Sequence, residues 1–147
     1  MVADKEIVQE RIARIRRYVI DLRDFAQITP EEFKRNRERQ YAVLHALQLA
    51  IEASIEIGTH ICSADALGVP NSYAETFNYL ETARVLDTAL AERLRTMARF
   101  RNRLVHFYWE VDLDEIHRIL QDLCQHIKMT VCTLMRQDTK RWVNPLI

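Results

Sequence analysis

Residues 87–108 read DTALAERLRTMARFRNRLVHFY. Placing successive residues about 100° apart puts Leu90, Leu94, Met97, Ala98, Leu104 and Val105 on one face, which predicts an amphipathic helix running to about residue 106. Asp87 is a suitable cap for its start, because its carboxylate can accept the open backbone N–H groups of a first turn. A helix with one apolar face must bury that face against other elements, and the neighbouring sequence supplies further helices rather than strands.

Toward the N-terminus, Val8, Ile12, Ile15, Val19, Leu22 and Ala26 recur at alternating steps of four and three, the stripe of a first helix. Thr29-Pro30-Glu31-Glu32 then opens a second: Thr29 caps, Pro30 suits the first helical position, Glu32 completes a capping box, and Ile28 with Phe33 sits where a hydrophobic staple forms. Leu44, Leu47, Ile51, Ile55 and Ile61 extend its core face toward residue 62, making it the longest element. Gly68-Val69-Pro70 forces a loop, and Ser72-x-x-Glu75 opens a short third helix bearing Phe77 and Leu80. Beyond the quoted stretch, Asp112-x-x-Glu115 opens a fifth helix along Ile116, Leu120, Leu123, Ile127 and Leu134, and the signal fades after residue 136.

Composition agrees. With 2 Gly and 3 Pro among 147 residues and 48% apolar residues, the chain is poor in turn-forming material but able to bury a core, so a single all-α domain over residues 1–147 is expected, with its core at about 5–136 and a short C-terminal tail. Charges balance at 21 against 21, so binding to nucleic acid must rest on local clustering rather than net charge. The absence of a membrane-length apolar run and of a signal-peptide core makes a cytoplasmic protein the expectation. Cys62, Cys124 and Cys132 read as reduced thiols packed as small apolar residues. His60-x-Cys62 and Cys124-x-His126 match no metal-binding spacing, so neither a metal nor another cofactor is expected.

Arg101 interrupts the apolar face of the quoted helix. A guanidinium stays charged and is rarely buried unpartnered, which leaves two explanations: a salt bridge to a carboxylate on another helix, with Glu52 a candidate, or a cleft in which Arg101 meets an anion. No acidic residue lies between Glu92 and Glu110, whereas Arg93, Arg95, Arg99, Arg101 and Arg103 do, and such a run suits a phosphate backbone if it is not simply a solvated face. His106 is five positions beyond Arg101, about 140° around an ideal helix, so the two become neighbours only if the helix breaks near His106 or if two symmetry-related subunits share a groove. Phe100 and Phe107, one heptad apart on a flank of that helix, are the apolar surface expected to support such an interface.

The segment Arg101-Asn102-Arg103-Leu104-Val105-His106-Phe107-Tyr108 has the pattern R-x4-H-x-Y and resembles the signature of the HepT-type toxins of the HEPN superfamily. The resemblance extends to Gln48 and Glu52 on the long helix, to Gly68-Val69-Pro70-Asn71-Ser72-Tyr73 before Glu75 and Phe77, and to Tyr108-Trp109-Glu110-Val111-Asp112, and spans roughly residues 5–136. It implies an antiparallel up-and-down bundle of about five helices that forms a homodimer, with two R-x4-H motifs in one cleft and a metal-independent endoribonuclease activity. In that reading Arg101 and His106 are catalytic. Attack of an RNA 2′-hydroxyl on the adjacent phosphorus needs a base, an acid and a cation, and two histidines with an arginine supply them. Asn102, Arg99 and Arg103 are supporting or RNA-contacting candidates. The resemblance further implies that Tyr108 is adenylylated by a minimal nucleotidyltransferase antitoxin encoded nearby, which silences the nuclease.

Two other classes of function remain open on the sequence. One is a non-catalytic nucleotide-binding or scaffolding partner of a nucleotidyltransferase. The other is a purely structural helical dimer, in which Arg101→Met preserves or raises stability because the apolar stripe becomes continuous.

Overall fold

The computed structural model describes residues 5–106, 108–122, 129 and 133, with the side chains of residues 5, 8 and 108 left aside. The fold is all-α. It comprises α1 (Lys5–Phe25), α2 (Pro30–Arg35), α3 (Arg37–Ala64), α4 (Tyr73–Thr82) and α5 (Thr88–His106), then a 3-10 turn at Tyr108–Glu110 and helical backbone again at residues 113–122. Phe107, Leu123, Cys124, His126, Ile127, Cys132 and Leu134 lie outside the described residues. No described helix is long and apolar enough to cross a membrane.

The long helix α3 is the centre of the bundle: α1, α2, α4 and α5 all pack on it, and α4 also packs on α5. The stripe of α1 is buried at Ile12, Ile15, Val19 and Leu22, against Val43, Leu47, Ile51 and Ile57 of α3 within one continuous apolar core. Each such side chain contributes on the order of 1.5–3 kcal/mol when fully removed from water, which is why the 3.6-residue stripes dictate the architecture.

The capping box at Thr29 forms as the sequence indicates: Thr29 Oγ1 accepts the Glu32 N–H at 3.2 Å, and Glu32 Oε2 accepts the Thr29 N–H at 3.3 Å. The single long second helix expected from the stripe is, however, two helices. Asn36 takes extended dihedrals (φ −109°, ψ 91°), ends α2 and caps α3 by accepting the Arg39 N–H at 2.9 Å. The carbonyls released at the break are not left bare, because Gln40 Nε2 donates to Phe33 O at 2.8 Å and to Lys34 O at 3.1 Å.

Two helix ends share one form of closure. After α3 the Leu67 N–H reaches Cys62 O at 2.9 Å, and after α4 the Val85 N–H reaches Leu80 O at 2.9 Å, the 6→1 closure of a Schellman turn. The residues in left-handed conformation there are Ala66 (φ 53°) and Arg84 (φ 58°) rather than glycine. Gly68 follows with φ 145°, and a Cβ at this position would fall 2.8 Å from the Tyr79 ring, so the chain passes too close to α4 for any side chain. The chain thereby returns tightly along α4 and delivers residues 70–73 beside α5.

Candidate active site

Arg101 is held from three directions. Its Nε and Nη2 donate to the same oxygen, Glu52 Oε1, at 3.0 and 2.8 Å, and its Nη1 donates to Asn102 Oδ1 at 3.3 Å. The Tyr73 ring lies under the guanidinium, with Cζ 5.0 Å from the ring centroid. Gln48, one turn before Glu52 on α3, donates to the same carboxylate oxygen at 3.1 Å and fixes it in turn. The side chains of Arg101 and Glu52 are 15% and 28% exposed, so the pair is largely withdrawn from water. The salt bridge anticipated as one explanation of Arg101 is therefore present. It does not exhaust the guanidinium: of five N–H donors, Glu52 takes two and Asn102 one, which leaves two for an anion among the described residues.

Arg101 borders an open pocket of about 540 Å³. Arg101, Asn102 and His106 line it from α5, Pro70, Asn71, Ser72 and Tyr73 from the loop and the start of α4, and Thr59 and Thr76 complete it. Arg101 and His106 thus line one pocket within a single chain. The helical offset of about 140° does not keep either from that lining, and α5 ends at His106. His106 is exposed there. Tyr108 begins the 3-10 turn two residues later, so its backbone lies at the rim of the same helix end.

The basic run is less basic in space than in sequence. Arg103 forms two hydrogen bonds with Glu115 at 2.6 and 3.0 Å, and Arg95 pairs with Glu81 at 2.6 Å. Those contacts pull the Glu81 and Glu115 carboxyls below the usual carboxylate range and raise the Arg103 guanidinium. Arg101, Arg95 and Arg103 each meet a carboxylate from another segment, whereas Arg93 and Arg99 are exposed and have no ion pair among the described residues. A positive element was read from residues adjacent in sequence; the compensating acids are distant in sequence and adjacent in the fold.

Phe100 also departs from expectation. It is 5% exposed and belongs to the core, with the Arg103 guanidinium 6.0 Å from its ring centroid, so it offers no free apolar surface for a partner. Cys62 is buried with Sγ 3.7 Å from Thr76 O, and burial raises its thiol pKa, which suits a packed thiol rather than a thiolate ligand. Tyr73 and Asn71 entered the sequence reading only as part of the resemblance. The local signal that places them is the Ser72 cap: Ser72 Oγ accepts the Glu75 N–H at 3.2 Å, which puts Tyr73 at the first position of α4, facing Arg101.

A family model described as Ribonuclease HepT-like matches residues 8–133. A protein of Aphanizomenon flos-aquae described as "tRNA nuclease HepT" is 29% identical over 125 residues, covering 85% of each chain. A protein of Shewanella oneidensis described as "mRNA nuclease HepT" is 30% identical over 118 residues, 79% of this chain and 86% of its own. Among solved structures, a tri-AMPylated Shewanella oneidensis HEPN toxin in complex with MNT antitoxin superposes with a TM-score of 0.82 at 27% identity, over 88% of this chain and 97% of that one.

Proposed function

The chain belongs to the HepT-like ribonuclease family, and from that premise we propose that it is a metal-independent endoribonuclease toxin whose active centre is the pocket shared by Arg101 and His106. The observation that carries the reading is the state of Arg101: a guanidinium fixed by Glu52, Asn102 and Tyr73, with two donors unengaged among the described residues, in a pocket that His106 also lines.

The reaction begins with attack of a ribose 2′-hydroxyl oxygen on the adjacent phosphorus. A base takes the hydroxyl proton, the P–O5′ bond breaks, and an acid gives a proton to the departing 5′-oxygen. The products are a 2′,3′-cyclic phosphate and a 5′-hydroxyl. Histidine titrates near neutrality and serves in either role; a homodimer with both pockets in one cleft provides one copy for each. Arg101 stabilises the charge that builds on the phosphorane, and because it is already oriented, little reorganisation is needed as the transition state forms. Asn102 holds Arg101, Arg99 remains exposed to contact the RNA backbone, and Arg103 is engaged by Glu115 and contributes less.

Control acts at Tyr108. Adenylylation by a nucleotidyltransferase antitoxin would add a phosphate and an adenosine two positions beyond His106 in sequence and repel RNA from the cleft. A similar toxin is AMPylated and bound to an MNT antitoxin, which supports this assignment. Both steps belong in the cytoplasm, where RNA and the antitoxin meet.

The test is the chemistry of the ends. RNA incubated with the purified protein in chelator should yield 2′,3′-cyclic phosphate and 5′-hydroxyl termini. Termini with a 5′-phosphate, or no cleavage alongside Arg101-dependent nucleotide binding, would count against the nuclease mechanism.

A further inference from the structure

The pocket is larger than one phosphate requires, and its second wall has the chemistry of a base-binding site. About 540 Å³ falls within the range of small-molecule sites, which start at about 300 Å³. Beside Arg101 in that lining stands Tyr73, whose ring packs under the guanidinium yet is 43% exposed. Asn71 is beside it, exposed, and its side-chain amide has no hydrogen bond among the described residues. An amide offers a donor and an acceptor together, the pair that reads a base edge, and an exposed aromatic ring is the surface on which unpaired RNA bases stack.

The wall is held in place before any ligand arrives. Glu75 ties the loop from both sides, its carboxylate accepting the Asn71 N–H and its own N–H donating to Ser72 Oγ. Upstream, Gly68 packs against the Tyr79 ring. A loop fixed in this way loses little freedom on binding, so contacts made by Asn71 and Tyr73 appear as affinity rather than being spent on ordering.

We infer that Asn71 and Tyr73 form a nucleobase subsite that holds the nucleoside next to the phosphate bound at Arg101, with Tyr73 stacking on the base and Asn71 reading its edge. This rests on the nuclease reading for its role in cleavage, but not for binding. Tyr73 therefore has two functions: one part of the ring orients Arg101, and the part left exposed carries the base. The ligand class is a ribonucleotide whose base is unstacked from its neighbours, as in a single-stranded loop of RNA.

The experiment titrates the intact protein with the four ribonucleoside 3′-monophosphates and with inorganic phosphate, followed by calorimetry. At least one nucleotide should bind ten-fold or more tighter than phosphate. Tyr73→Leu should weaken that nucleotide about 5- to 100-fold more than it weakens phosphate, the range that stacking supplies, whatever phosphate affinity is lost with the support of Arg101; Tyr73→Phe should behave as the unaltered protein. Asn71→Ala should compress the affinity differences among the four bases and, where RNA is cut, flatten base preference at the cleavage site. Equal losses of phosphate and nucleotide affinity in Tyr73→Leu would reduce Tyr73 to a support for Arg101 and overturn the subsite. So would unchanged base discrimination in Asn71→Ala, an exposed-loop variant that tests the idea even if Tyr73→Leu fails to fold. Base-dependent binding that survives an absence of RNA cleavage would support the subsite while overturning the nuclease reading.

Discussion

Arg101 and Glu52, 49 positions apart in sequence, meet through two hydrogen bonds to one carboxylate oxygen, at 3.0 and 2.8 Å. The arrangement is not the side-by-side fork of a pair that fully neutralises itself, in which two nitrogens face two oxygens. It anchors the Nε–Nη2 edge of the guanidinium and leaves two donors unengaged among the described residues. Glu52 is thus a positioning residue, and Gln48 positions Glu52 in turn.

Removing one member of this pair should cost more than removing both. Arg101→Met leaves the half-buried Glu52 carboxylate without its guanidinium, and Glu52→Leu leaves the cation, so each single change should lower stability by about 1–3 kcal/mol. The double variant should recover most of that loss, giving a coupling energy on the order of 1 kcal/mol or more in a denaturant-based double-mutant cycle. This reverses the outcome expected of an uninterrupted apolar stripe, because Glu52 is already paired with Arg101.

Glu52→Gln retains shape and loses the charge that orients Arg101. RNA cleavage should fall about 10- to 100-fold, as expected when a catalytic group is misplaced by a fraction of a bond length to an ångström. The loss should appear in kcat rather than KM in steady-state kinetics.

Two helix ends carry a removable strain. Ala66 and Arg84 occupy left-handed dihedrals, at φ 53° and 58°, that cost a residue with a Cβ about 1 kcal/mol. Ala66→Gly and Arg84→Gly should each raise unfolding free energy by about 0.5–1 kcal/mol in urea titrations. Gly68→Ala should do the opposite, because the new Cβ meets the Tyr79 ring at 2.8 Å.

Acid should loosen the bundle through the carboxylates that face α5. Glu81 and Glu115 have folded-state pKa values lowered from 4.5, chiefly by hydrogen bonds from Arg95 and Arg103. A lowered folded value means the unfolded chain binds the proton more readily, so this stabilisation is complete above the ordinary value and is lost as pH falls through the folded one. The melting temperature should therefore decline below about pH 4.5, and Arg95→Ala and Arg103→Ala should each make the decline shallower.

Much of the bundle was legible because it is local. The Ile12-Ile15-Val19-Leu22 stripe, the Thr29–Glu32 box and the caps at Ser72 and Asp87 are all set by residues within a few positions of one another. Arg101 was legible too, since a charge in an apolar stripe demands a partner, and Glu52 met the demand. The break at Asn36 was not: a single asparagine near the start of a long helix looks tolerable, and only the fold shows Gln40 satisfying the carbonyls the break exposes. The neutralisation of Arg95 and Arg103, the burial of Phe100 and the approach of Tyr73 to Arg101 all depend on which segments the fold brings together. A helical wheel carries none of that.

We propose that Arg101 and His106, which line one pocket, form a nuclease centre. Its most direct test is the single-turnover rate of RNA cleavage, in chelator, by the unaltered protein, His106→Ala and Arg101→Ala, each verified as folded. Cleavage by the unaltered protein and a loss of about 100-fold or more in both variants are expected. Cleavage by His106→Ala at the full rate, or cleavage that stops when chelator is added, would contradict it.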